Sequence, residues 1–269
     1  MSLSIQYTFL TFTSKYNAMK KIGIILLASF VLFGCKDKKE EDVKADVVIE
    51  LKATYNGNPI EDNTIYTDPL GHRIRVEYLL AYVSNIELVD ESGSATVIKD
   101  IYLANLLTGN KSISKEIDPK KYAKIKFGIG VPEEDNKEND PSNYPNDHPL
   151  SAIGAQGMFW TWNSGYIFIK FEGKADLEGV EGNDLTEPYA FHCGEDFMFE
   201  NHEFALNDFT ANEGTTKKIT IEFQVDKFLI SPTDTINIEE NYLTHTSGNV
   251  ELAQRFSDIF NQAITVTNQ

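Results

Sequence analysis

Residues 216–225 read TKKITIEFQV, with Ile219, Ile221, Phe223 and Val225 at every second position and mostly polar residues between them. A period of two belongs to a β-strand with one buried face, because successive side chains leave a strand on opposite sides. The same pattern recurs outward along the chain. Val47, Ile49, Leu51, Ala53 and Tyr55 alternate with mostly polar neighbours, and Asn56-Gly57-Asn58-Pro59 then marks a turn. A long apolar stretch runs from Gly71 to Val89, with Tyr78, Leu80, Tyr82, Ser84, Ile86 and Leu88 on one face, and Asp90-Glu91-Ser92-Gly93 closes it. Residues 97–103 read as a short strand, Ala123 to Val131 alternate, and so do Ile167, Ile169 and Phe171. Near the end, Leu252, Phe256, Ile259, Phe260 and Ala263 share one face at helical spacing, with Ser247 or Asn249 placed to cap that helix. Strands do not alternate with helices, and no fixed repeat is visible. The expected fold is all-β, an antiparallel β-sandwich with one C-terminal α-helix, formed by residues 46–269 as one domain.

The chain has 269 residues, 41% of them hydrophobic and 12% aromatic, which supplies a core and excludes a mainly disordered protein. Lys and Arg total 24 against 41 Asp and Glu, a net charge of −17. The first 35 residues hold three lysines and no acid, so the body is more acidic still. Such a surface repels phosphate backbones and excludes nucleic acid as a partner. Two cysteines, Cys35 and Cys193, exclude a disulfide scaffold and a four-cysteine zinc site.

The N-terminal region reads as an address. Lys20-Lys21 precede a twelve-residue apolar run, Ile22 to Phe33, and Gly34-Cys35 follow. A basic flank, a short apolar core and a small residue before the break make a secretory signal. Twelve residues span about 18 Å as a helix, too short for a bilayer core of about 30 Å. Leu32-Phe33-Gly34-Cys35 resembles a bacterial lipobox, which implies cleavage before Cys35 and lipid on its thiol. An ordinary signal peptide that happens to contain Cys35 is the alternative. Met19 stands where a start residue would precede the basic flank, so residues 1–18 read as an upstream extension. Residues 1–34 are then extension and signal, and residues 35–45 are the lipidated cysteine and a charged tether, KDKKEEDVK over 36–44. That tether also resembles the Lys- and acid-rich surface-export signals of Bacteroidetes lipoproteins. The expected location is the outer membrane, on the periplasmic or cell-surface side.

Two segments carry candidate chemistry. PEEDNKENDPSNYPNDHPL, residues 132–150, is a long loop rich in carboxylates and amides. Such oxygens can hold calcium, although Asp135, Asn136, Asn139 and Asp140 lack the EF-hand spacing; a plain solvated loop is the simpler reading. Then comes GMFWTWNSGY, residues 157–166, with both tryptophans of the chain. Trp160 and Trp162 point the same way on an extended segment, and can pack in a core, stack a sugar together with Tyr166, or undergo redox chemistry at an indole. His192 and Cys193 are neighbours on the YAFHCG strand and face opposite sides, so they do not chelate one ion, and Cys193 reads as a buried thiol. His72, His148, His202 and His245 fit no zinc-protease or zinc-finger spacing.

With these residues in view, the chain resembles the MbnP-type copper-binding proteins, and among them the Bacteroidetes lipoprotein branch. The resemblance is carried by YVSNIEL at 82–88, KFGIGV at 126–131, HPLS at 148–151, MFWTWNSGYIFIKFEG at 158–173, Phe191-His192, and Thr244-His245-Thr246. It implies an extracytoplasmic β-sandwich that holds copper through histidines and an oxidised tryptophan, kynurenine, made by a separate di-haem enzyme. Carried over residue by residue, it implies His192 and Trp160 as metal-site residues, with His148 next and His245 third. It leaves the choice between Trp160 and Trp162 open. Relatives that pair with the di-haem enzyme often carry extra cysteines after the histidine strand, where this chain has Gly194-Glu195-Asp196-Phe197. Two imidazoles and an aromatic amine suit monovalent copper, each imidazole needing its second nitrogen oriented by a carbonyl or carboxylate. The competing expectation is a metal-free module that recognises a glycan or protein through Trp162 and Tyr166. Catalysis ranks last, because no nucleophile–base pair or spaced carboxylate pair stands out. If the strands around residues 166–171 and 189–193 pair as a hairpin, His192 should lie within about 10 Å of Trp160 or Trp162.

Overall fold

The computed structural model describes residues 43–108, 111–136, 140–160, 165–177 and 185–269. In chain order the strands are β1 (Ala45–Tyr55), β2 (Asn58–Pro59), β3 (Ile65–Thr67), β4 (Arg73–Asp90), β5 (Ala95–Asn105), β6 (Lys111–Ile117) and β7 (Tyr122–Ile129). A single helical turn, α1 (Glu133–Asn136), precedes β8 (Ile169–Asp176), β9 (Glu187–Cys193), β10 (Glu200–Ala205), β11 (Thr216–Gln224) and β12 (Leu243–Thr244). The helix α2 (Val250–Gln262) and β13 (Ile264–Asn268) complete the order.

These strands form two sheets, as expected of a sandwich. One runs β13-β11-β1-β2 with β6 also on β1; the other runs β10-β7-β4-β8-β9-β12 with β3 and β5 on β4. The period-two residues face between the sheets: Val47, Ile49 and Leu51 of β1 and Ile219, Ile221 and Phe223 of β11 are buried. β4 is long enough to pair twice along its length, residues 73–81 with β8 and residues 83–90 with β7. Its single apolar face is broken by a register shift between Val76 and Tyr78, and Tyr78 is 52% exposed. From Leu79 to Ser84 both faces of β4 are buried.

Most pairs are antiparallel, but β1 with β11 and β12 with β9 run parallel. Side-chain alternation is the same in both directions, so the sequence pattern carries no information on strand direction. The helix stands where its periodicity places it, and Asn249 caps it by accepting from Leu252 N at 3.1 Å. It contacts both layers. Phe256 stacks on Phe191 with centroids 4.5 Å apart, whereas Phe260 meets Phe223 of the other sheet at 5.7 Å. The chain then returns as β13, antiparallel to β11, a five-residue strand too short to stand out in the sequence.

Candidate metal centre

Residues 158–160 and 165–167 fold back on one another. Trp160 N donates to Gly165 O at 3.0 Å, and Ile167 N to Met158 O at 2.8 Å. Gly165 turns the chain at φ +117°, a conformation that favours glycine. Phe168 N then donates to Cys193 O at 2.6 Å, which docks this turn against the end of β9. The next residue must be small: a Cβ on Gly194 would meet the Tyr166 carbonyl oxygen at 2.2 Å. Trp160 is thereby held inside, 3% exposed.

β9 uses its two faces differently. Phe191 and Cys193 point to α2, where the Cys193 thiol donates to Ala253 O at 3.3 Å. Burial pushes that thiol far up, so it stays protonated. His192 points the other way. In the β8–β9 register it stands opposite Lys170 and diagonal to Glu172, within reach of a long side chain. Its Nε2 hydrogen-bonds Glu172 Oε1, and Lys170 Nζ lies 3.1 Å from the same oxygen. Burial raises the Glu172 carboxyl, but the hydrogen bond and charge of His192 and then Lys170 outweigh it, leaving the group below its ordinary value.

His245 arrives from the approach to α2. β12 runs parallel to β9 beside Ala190 and Phe191, so the residue after it lies over His192. The turn is pinned by two hydroxyls. Thr244 Oγ1 donates to Asn249 O at 2.9 Å; Thr246 Oγ1 donates to His192 O at 2.8 Å and accepts from Gly194 N at 3.2 Å. Thr246 has φ +57°, which for a β-branched residue costs about 1–3 kcal/mol and persists only where its surroundings enforce it. The outcome is a close pair of imidazoles: the His192 and His245 centroids are 4.5 Å apart, and Nδ1 faces Nδ1 at 2.8 Å. The Trp160 ring lies 5.9 Å from His192 and 6.4 Å from His245, inside the 10 Å expected. Burial, then the neighbouring charges of His192 and Lys170 against that of Glu172, lowers the His245 pKa and favours its neutral form.

Imidazole nitrogens that converge, with a carboxylate behind one of them, are a metal-ligand arrangement. The two nitrogens stand at hydrogen-bond distance, closer than the roughly 3.3 Å that two bonds of about 2.0 Å at a tetrahedral angle require. Among the described residues no group of three His, Cys, Asp or Glu side chains is disposed to hold an ion. The centre therefore offers, among the described residues, two imidazole nitrogen donors beside an indole, not the oxygen-rich cage of a hard cation.

A sequence model of MbnP matches residues 44–250. The chain belongs to the MbnP family. Trp160, Glu172, His192 and His245 all lie inside the MbnP match. Among solved structures the chain is similar to "MbnP from Methylosinus trichosporium", with 13% identity over 69% of this chain and 77% of that one, at a TM-score of 0.46. No curated protein sequence matches it.

Within this MbnP domain the expected site residues separate. Trp160, His192 and His245 come together, and His148 does not join them. Its ring stacks on Tyr144 at 4.4 Å and its Nδ1 accepts from Leu150 N at 3.2 Å, which fixes the loop instead. Tyr166 is fully buried, its hydroxyl bonded to Leu150 O, so it has no face on which a sugar could stack. Trp162 and Cys35 lie outside the described residues, as do the signal segment and Asn139 of the proposed calcium loop. The other loop oxygens have internal uses. Asn136 donates to Asp196 and accepts from Tyr166 N, Asp135 accepts from the Tyr144 hydroxyl, and Asp140 caps the 3-10 turn Pro141–Asn143. Sequence reading missed Glu172 and Thr246. Glu172 is legible only as an outward-facing residue two positions from Lys170, and its link to His192 depends on a register set by the intervening loop.

Proposed function

We propose that this MbnP domain is a non-enzymatic copper binder that holds Cu(I) through His192 and His245 beside Trp160. The observation that supports this reading most is the Nδ1–Nδ1 approach of 2.8 Å next to the indole ring. Monovalent copper tolerates low coordination and prefers imidazole to oxygen donors, which matches two histidines without a third acidic or thiolate ligand among the described residues. The buried indole lowers the local polarity and limits water access, which further disfavours hard ions. Family resemblance adds that one tryptophan of the pair is oxidised by a di-haem partner; Trp160, whose ring lies beside both imidazoles, is our choice, and its oxidation would provide an aromatic amine there. In this reading the protein is a lipoprotein anchored at Cys35 in the outer membrane, on its periplasmic or surface side.

Metal analysis of protein purified from its native host, with mass spectrometry across residues 158–173, tests the reading. Near-stoichiometric copper with an oxidised Trp160 is the expected result; copper-free protein that also fails to take up Cu(I) in titration overturns it. Fatty-acid labelling should mark the wild type and spare Cys35→Ala, and persistent labelling of that variant rejects the anchor.

A further inference from the structure

His192 has a partner on each ring nitrogen, Glu172 Oε1 at Nε2 and His245 at Nδ1. An ionised carboxylate only accepts hydrogen bonds, so the nitrogen facing Glu172 must carry the proton. In a neutral imidazole the other nitrogen is then bare. We propose that Glu172 is the positioning residue of the centre: it holds His192 as the Nε2–H tautomer and makes Nδ1 the atom presented to the metal ion. This inference rests on the copper reading and extends it to the choice of ligand atom.

Three observations carry it. Glu172 is diagonal to His192 across the β8–β9 ladder, so backbone pairing, not a flexible loop, sets their approach. Lys170, directly opposite His192, grips the same carboxylate oxygen and lies 5.3 Å over the Tyr78 ring, which fixes the acid from its far side. The two imidazoles are also complementary. A bare Nδ1 on His192 requires His245 to donate from its own Nδ1, because their 2.8 Å separation needs one donor and one acceptor. The pair is therefore unequal in the metal-free protein: His192 is set by an acid, and His245 donates to it.

Nitrogen-15 NMR of the histidine side chains in metal-free full-length protein at pH 8 reads the tautomers directly. The wild type should show His192 protonated at Nε2 and His245 at Nδ1. Glu172→Leu should give a mixture at His192 and lower Cu(I) affinity about ten- to a hundredfold. Glu172→Gln, whose amide oxygen still accepts from Nε2–H, should restore the wild-type tautomer and most of the affinity. This rescue separates positioning from a loss of packing, with circular dichroism confirming that both variants fold. An unchanged His192 tautomer in Glu172→Leu, or a wild-type His192 protonated at Nδ1, overturns the inference. A wild type that takes up no Cu(I) while the tautomers behave as expected overturns the copper reading instead, so the two failures are distinguishable.

Discussion

His202 and His192 are both strand histidines, and their surroundings differ in kind. His202 on β10 stacks on Phe127 at 5.2 Å and on Phe204 at 6.0 Å, and its Nε2 bonds the Asn261 side chain at 2.9 Å. His192 on β9 has a carboxylate at one nitrogen and a second imidazole at the other. The first is treated as an aromatic ring with one polar tip, tied to α2 across the layer. The second has both nitrogens specified. Two strand histidines, one buried and one half-buried, are thus told apart by what their nitrogens meet.

The largest effect that sharpens this contrast is on metal affinity. His192→Ala should lower Cu(I) affinity more than about a hundredfold, exceeding the loss expected when only an orienting partner is removed. His202→Ala should leave it within about twofold, as for a distant independent site. Competition against a chromophoric Cu(I) chelator measures both, and equal losses would erase the distinction. The order should reverse for packing. His202→Ala removes a ring stacked on two phenylalanines and should cost about 1–3 kcal/mol in denaturant unfolding.

A smaller effect lies in pH. Burial lowers the His202 pKa, while the Asn261 hydrogen bond and Glu200 charge only partly offset it. Between that lowered value and the ordinary histidine value of about 6.5, the unfolded chain holds the extra proton. Stability therefore rises with pH across this window and is lost as pH falls through it. His202→Gln should lack this component, so its stability relative to wild type should improve from pH 8 to pH 5. A constant difference would mean that His202 is not held neutral. The smallest effect is expected at His148, whose substitution by Ala should leave Cu(I) affinity within about twofold because its ring serves the Tyr144 stack.

The strands were legible because burial imposes a period of two, and Ile219, Ile221 and Phe223 show it without interruption. The parallel direction of β1 and β11 was not, since alternation is blind to direction. At the site, the hairpin logic that returns His192 to Trp160 could be read from chain order, as could the family match. The choice between His148 and His245 could not. His148 precedes Trp160 by a few turns of chain, yet its own neighbour Tyr144 captures its ring. His245 is remote in sequence and is delivered by β12 and two threonine hydroxyls. Glu172 escaped notice because an outward acid on a strand is ordinary until its register against the next strand is known.

The parallel pairing of β1 with β11 also constrains how the molecule is made. Asp46 sits beside Thr216 and Thr54 beside Gln224, so the first strand of the domain finds this neighbour only when most of the chain is available. Pairings so distant in sequence close late, because a large loop must be ordered before they are rewarded. A chain delivered N-terminus first cannot complete this β1–β11 pairing until residue 224 has emerged. The imidazole pair waits longer still, for His245 and the helix behind it. Topology alone therefore keeps the two histidines apart until synthesis has passed the second of them.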